Sequence, residues 1–125
     1  MSEIKNGRHI DDAGSILWFK DDLLHREDGP AVEHADGDKE WFFHGKRHRE
    51  DGPAFEYGEK KLFANGLAYG RGRVIMDEWW IDGKFVRPED FRDRLYKFHA
   101  LKKEKLYKKL HANLPKKIKA KRIKI

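Results

Sequence analysis

Seven histidines and 22 carboxylates are the side chains of this sequence that could do acid–base chemistry or ligate a metal. His25 and His48 occupy the same place in a heptapeptide, HREDGPA, which runs from 25 to 31 and again from 48 to 54. A catalytic constellation duplicated in register is rarer than a structural position used twice, and no recognised metal-ligand spacing accompanies these histidines. His34 and His44 fall beside turn signals and are expected at the surface. Ser2 and Ser15 are the only serines, neither in a nucleophile elbow, and the chain has no cysteine. Gly70-Arg71-Gly72-Arg73 has the composition of a phosphate loop, but no helix pattern follows it, so a strained turn between strands is expected there. The expectation is a protein with no catalytic residue, no metal and no cofactor, and so not an enzyme.

The heptapeptide belongs to a longer duplication. WFKDDLLHREDGPAVEHADGDKE (18–40) is followed at once by WFFHGKRHREDGPAFEYGEKKLF (41–63), and ten of the 23 aligned positions are identical. Repeats of this length mean stacked supersecondary units. Within HREDGPA, Asp28-Gly29 and Asp51-Gly52 are expected to turn, with glycine at positive φ. Pro30 and Pro53 suit the first residue of a strand. Ala31 and Ala54 are small enough for neighbouring aromatics to approach. His25/Arg26 and His48/Arg49 can lie across an aromatic face or pair with Glu27 and Glu50.

Glycine or aspartate punctuates the first 86 residues every six to eight positions: Gly7, Gly14, Asp22, Gly29, Gly37, Gly45, Gly52, Gly58, Gly66 and Gly72, with Gly83 after a lapse. Asn6-Gly7, Asp36-Gly37, Asn65-Gly66 and Asp82-Gly83 are dipeptides favoured in two-residue hairpins. Ile16-Leu17-Trp18-Phe19, Glu40-Trp41-Phe42-Phe43, Leu62-Phe63-Ala64 and Trp79-Trp80-Ile81 take matching places between them. The fold class this implies is mainly β: an elongated antiparallel meander of about three and a half units between 14 and 86, with a worn unit at the N-terminus.

Beyond 86 the pattern becomes helical. Pro88, Glu89 and Asp90 suit a first turn, and Phe91, Leu95, Phe98, Leu106 and Leu110 recur at helical spacing. One amphipathic helix is expected from 88 to about 112, its apolar stripe packing on the sheet or on a second copy. Pro115 then ends it, and a basic tail follows. The domains expected are a β body (1–86), the helix (87–113) and the tail (114–125).

Charge divides along the same line. Residues 92–125 carry 14 Lys/Arg against two acids, whereas residues 1–91 carry 14 against 20. A body of −6 with an end of +12 implies a polyanion for that end, or contact with the body or a second copy, so a homodimer is possible. No apolar run is long enough to span a membrane and no leader pattern opens the sequence, so no membrane partner and a cytoplasmic location are expected.

Trp41, Gly45-Lys46, His48 and Gly52 stand where MORN-type repeats carry an aromatic, Gly-Lys and a His/Gly turn, and the chain resembles that family. It is similar more closely to an HREDGPA-type variant found in small proteins of tailed phages and large DNA viruses. Trp80-Ile81-Asp82-Gly83-Lys84 followed by Pro88-Glu89-Asp90-Phe91 matches the way such arrays close. The likeness covers roughly 16–95, is weak at 66–78, and does not include the extension beyond 100. It implies an interaction surface, in the host cytoplasm if the protein is viral, and no reaction.

Two kinds of binding follow. The aromatic sheet would anchor a protein through Trp18, Phe19, Trp41, Phe42, Phe43, Trp79 and Trp80. The basic end would hold nucleic-acid phosphates through Lys102, Lys103, Lys105, Lys108, Lys109, Lys116, Lys117, Lys119, Lys121, Arg122 and Lys124, with Tyr96, Phe98 and Tyr107 as stacking residues. The leading expectation is a small phage accessory protein that occupies, and can thereby inhibit, a host protein or nucleoprotein, such as a nucleic-acid-guided (CRISPR-type) defence effector. Direct nucleic-acid binding through the C-terminal region is the alternative.

Overall fold

The structure, a computed structural model, describes residues 3–112 and 114–115. In chain order the strands are β1 (Gly7–Ile10), β2 (Ile16–Lys20), β3 (Leu23–Leu24), β4 (Val32–Glu33), β5 (Lys39–Glu40), β6 (Phe42–Phe43), β7 (Lys46–Arg47), β8 (Phe55–Glu56), β9 (Lys61–Leu62), β10 (Ala68–Gly70), β11 (Arg73–Val74), β12 (Trp79–Ile81) and β13 (Lys84–Val86). A 3-10 turn (Pro88–Asp90) leads into helix α1 (Phe91–Ala112). All pairing is antiparallel, but it is divided among several sheets rather than forming one meander. A six-stranded sheet runs β1-β2-β4-β5-β8 with β3 beside β2, while β6-β7, β9-β10-β11 and β12-β13 pair separately.

The repeat has a definite local logic. The first half of each aromatic segment pairs with the strand that follows Pro-Ala, and the second half folds into a tight hairpin. Thus Leu17 faces Val32 and Phe19 faces Leu24; one repeat later Glu40 faces Phe55 and Phe42 faces Arg47. Trp18 and Trp41 sit at the crossover, donating their backbone N–H to the carbonyls of Ala31 and Ala54, both at 2.8 Å. Ala31 and Ala54 are fully buried, so a larger side chain there would have to displace its neighbours.

The next partner of Ala54 is not the segment the 23-residue spacing indicates. Ala54 donates to the Glu78 carbonyl as Ala31 donates to that of Glu40, and Phe55 bridges Glu78. Trp79-Trp80-Ile81 is therefore the third aromatic segment in this register. Leu62-Phe63-Ala64, expected in that place, belongs instead to an inserted three-stranded sheet, β11-β10-β9. The insert is held by Asp38, whose carboxylate accepts from the Gly58 N–H (2.9 Å) and from Arg71 Nη2 (3.0 Å).

The turns also differ from the dipeptide reading. Of the four pairs expected to make two-residue hairpins, Asp82-Gly83 does, with both residues at positive φ. The other two-residue hairpin turns are Asp21-Asp22, His44-Gly45 and Arg71-Gly72. At Asn6-Gly7, Asp36-Gly37 and Asn65-Gly66 only the glycine has positive φ; Gly7 opens β1, and the other two loops are wider, closed by His34 N–H to Asp38 O and by Phe63 N–H to Leu67 O.

The chain divides into two compact units: the first runs to Phe91 and the second begins at Arg92. Phe91 closes the first, its ring 4.6 Å from that of Trp79. In the second, the expected apolar stripe is interrupted. Leu95 and Phe98 are half-buried, but Lys102, Lys105 and Lys109 continue their helical row, and Lys102 Nζ lies 4.7 Å above the Phe98 ring. Leu101, Leu106 and Leu110 are exposed.

Gly58 gives the sharpest packing test. A Cβ there would lie 2.3 Å from the Gly37 carbonyl carbon, backbone against backbone. Gly58→Ala is expected to lower stability by about 1–3 kcal/mol, read as a fall in the urea midpoint at unchanged slope; an unchanged midpoint would show that the two loops do not touch.

Candidate functional site

The duplicated histidines are latches between consecutive hairpins. The N–H of the first turn residue, left pointing outward by its positive φ, is taken by the unit before. His44 N donates to His25 Nδ1 and Asp82 N to His48 Nδ1, both at 2.9 Å. At the N-terminal end Asn6 Oδ1 does the same for Asp21 N (2.9 Å). The second turn residue follows suit, with Asp22, Gly45 and Gly83 donating to the carbonyls of Lys5, Leu24 and Arg47. Asn6 is thus the worn counterpart of the histidine, and residues 5–10 form the partial unit expected there.

The rest of HREDGPA follows from one arginine. Arg26 Nε donates to Asp28 Oδ1 (3.1 Å) and Nη1 to the Pro30 carbonyl (3.1 Å), which lays the guanidinium 4.4 Å above the Trp18 ring. Arg49 repeats this with Asp51 (2.9 Å), Pro53 (3.0 Å) and Trp41 (3.9 Å). A Cβ on Gly29 or Gly52 would press on that guanidinium at 3.0 and 2.9 Å, and neither glycine has a positive φ. Glycine there leaves room for the guanidinium, and positive φ is not what calls for it. Ser15 is likewise structural: it is buried, and its Oγ accepts from the Ala35 N–H.

These arrangements bear on the aromatic residues considered as protein anchors. Trp18 and Trp41 are half-buried beneath their arginines, Trp79 against Phe91, and Trp80 donates Nε1–H to Glu78 Oε1 (3.0 Å). Arg47 lies over Phe42, Phe55 and Trp80 and pairs with the buried Glu40, which also accepts from His34 Nε2 (2.5 Å). Phe19 is half-buried with His9 edge-on to it, so Phe43 alone of the seven is exposed. The aromatic row is largely occupied by the protein's own cations.

The basic residues are arranged otherwise. Lys102, Lys103, Lys105, Lys108 and Lys109 are all exposed on α1, as are Tyr96 and Tyr107. The helix's two acids are each paired with a lysine one turn on, Asp93 with Lys97 and Glu104 with Lys108, both at 3.0 Å. Lys116, Lys117, Lys119, Lys121, Arg122 and Lys124 lie outside the described residues.

On the β9–β11 insert Leu62, Phe63, Leu67, Val74 and Met76 are exposed, and beside it is an open groove of about 510 Å³ lined by Glu59, Lys60, Lys61, Tyr69 and Arg71 among others. Arg71-Gly72, within the stretch weighed as a phosphate loop, makes the turn between strands expected there, with Arg71 at positive φ.

No helix among the described residues is long and apolar enough to cross a membrane. Comparison with protein-family models, with curated proteins and with solved structures finds no match for this chain.

The latch has a pH signature. Nδ1 of His25 accepts a hydrogen bond, so it must be unprotonated, and a second proton on the ring would break the latch. Burial first, then the neighbouring His44 and Lys20, hold His25 below the ordinary imidazole value, against the opposing pull of Glu27. With the folded value depressed, the unfolded chain binds more protons below about pH 6.5. His25's contribution is therefore complete above that pH and is lost as the pH falls through the folded value. His25→Asn, copying Asn6, is expected to make urea midpoints between pH 7.5 and 5 fall less steeply than in the parent; an equally steep fall would assign the effect elsewhere.

Proposed function

We propose that this protein is a non-catalytic interaction module, a MORN-like array of hairpin repeats carrying a basic helix that engages a nucleic acid or nucleoprotein. The observation that carries the reading is the unequal use of cations in the two units. In the repeats, Arg26, Arg47 and Arg49 are stacked on the protein's own rings and tied to its own carboxylates. On α1, Lys102, Lys103, Lys105 and Lys109 stand exposed along the helix with only Asp93 and Glu104 to offset the whole segment. Cations set along one side of a helix suit a polyanion that approaches along its length, because holding phosphates needs charge and reach rather than an apolar face. Tyr96 and Tyr107, exposed on the same helix, supply rings on which unpaired bases can stack.

The resemblance to repeat proteins of phages and large DNA viruses supports a viral accessory role. A nucleoprotein of the host, such as a nucleic-acid-guided defence effector, is the partner class that suits both a rigid repeat body and a basic helix. The body would supply specificity and the helix attraction, which acts mainly on the association rate.

The test is binding of the full chain to single-stranded and duplex oligonucleotides at two salt concentrations. The comparison is a variant with Lys102, Lys103, Lys105, Lys108 and Lys109 all replaced by glutamine, which keeps helix propensity close to that of lysine. The parent should bind, and the variant should bind more weakly, with a salt slope flatter by about 0.7–0.9 for each phosphate that is no longer neutralised. Equal slopes would exonerate these lysines, and no binding by the parent at low salt would end the polyanion reading.

A further inference from the structure

β1 is the longest strand with an unpaired edge among the described residues, and every residue in it is exposed. Its pairing with β2 shows which backbone groups that edge presents. Asp11 N–H donates to the Ser15 carbonyl and Trp18 N–H to that of Ala31, and in an antiparallel ladder bonded and unbonded pairs alternate. The register sets Arg8 opposite Trp18 and Ile10 opposite Ile16. Gly7 and His9 therefore bond to β2, whereas the N–H and carbonyl of Arg8 and of Ile10 point away from it.

An open edge is a template for another strand, and proteins that stay monomeric blunt such edges with charge. Arg8 alone would do so, but the residues after it are acids. Along the edge Lys5 and Arg8 come first, Ile10, 59% exposed, stands in the middle, and the exposed Asp11 and Asp12 follow. A basic start, an apolar middle and an acidic end make a self-complementary pattern for antiparallel strands. Two copies related by a two-fold axis set the cations of each across from the acids of the other, whereas parallel copies would set like charge beside like. A nucleic acid would meet the two aspartates, and a foreign strand would have to repeat the same order of charges in reverse.

We propose that β1 pairs antiparallel with β1 of a second copy, joining two arrays in one continuous sheet about a two-fold axis at Ile10. Outward-facing residues are the ones able to bond across that axis. Ile10 exchanges N–H to carbonyl bonds with the partner's Ile10, and Arg8 stands opposite the partner's Asp12, twice in each dimer. The pairing closes on itself, because it uses β1 of both copies, and at the far end of the six-stranded sheet β8 is bridged through Phe55 to Glu78. The product is a dimer rather than a fibre. One short strand buries little surface, so the dimer exchanges with monomer instead of being permanent. This contact is separate from the basic helix and stands or falls without it.

Sedimentation of the full chain over a range of concentrations reads the association, with three variants beside the parent. Ile10→Pro removes an N–H that the β1–β2 ladder does not use, so the urea midpoint should hold while the dimer disappears. Arg8→Glu and Asp12→Lys each turn two attractive pairs into two repulsive ones, and each should weaken self-association by about tenfold. Mixed in equal amounts, these two variants should form a heterodimer as stable as the parent dimer, because each then carries the charges the other lacks. The charge variants leave the ladder untouched and decide the matter if proline lowers the midpoint. A parent that stays monomeric at millimolar concentration overturns the proposal. So does a dimer whose dissociation constant is unchanged by Ile10→Pro, which would put the contact on another surface, or a mixture of the two charge variants that does not associate.

Discussion

A tight hairpin turn with both central residues at positive φ turns a backbone N–H away from its own strands, and the architecture depends on how that donor is satisfied. The turns at Asp21-Asp22, His44-Gly45 and Asp82-Gly83 each give their first N–H to a side chain of the preceding unit, Asn6, His25 or His48, and their second to a carbonyl of the same unit. These donors are exposed or half-exposed, so each bond contributes about 0.5–1.5 kcal/mol net rather than a full desolvation penalty, and three such bonds in register help the turns specify their neighbours. The pairing strands are mostly two residues long, too short to define register by themselves. The latches supply what strand length does not.

The same economy explains the composition of the core. The fully buried apolar residues are few and small, Ala31, Ala54 and Val86 chief among them, and most of the aromatic surface is only half-buried. Arginine completes the burial. A guanidinium laid on Trp18 or Trp41 covers the ring and keeps its hydrogen bonds in the plane of aspartate and carbonyl. Each such pair contributes about 0.5–1 kcal/mol at an exposed ring and more when water is excluded. A body rich in charge and low in large aliphatic side chains can then hold together, because its cations work as covers for its rings.

Much of this is legible in the sequence, for reasons that particular residues make plain. The repeat, the antiparallel strands, the helix start at Pro88 and the place of the partial unit all follow from patterns that local physics fixes. Arginine on aromatic is readable from spacing too, but its corollary is not. Gly29 and Gly52 look like positive-φ turn glycines, and only the fold shows that they lack positive φ and lie under a guanidinium instead. The latch is hidden because its two ends, His25 and His44 or His48 and Asp82, are distant in sequence and one end is a backbone amide. The insert is hidden for a related reason. Leu62-Phe63-Ala64 keeps the 23-residue spacing, and nothing local reveals that Glu78 takes the place beside Phe55. The helix stripe fails where Lys102 and Lys105 take apolar positions, which periodicity of the leucines alone does not report.

The arginines of the repeats and the cations of the insert and the helix are used differently. In the repeat units every arginine between 26 and 49 is tied to a carboxylate and to a ring, an arrangement that leaves those groups little freedom to meet anything else. Where the repeat pattern lapses, at 60–76 and again beyond 100, Lys61, Arg73, Lys102, Lys103, Lys105 and Lys109 stand exposed, beside aliphatic surface in the one case and along a helix in the other. The duplicated motif therefore builds the frame, and identity between the repeats marks the histidine latches, arginine covers and buried alanines that hold its units together.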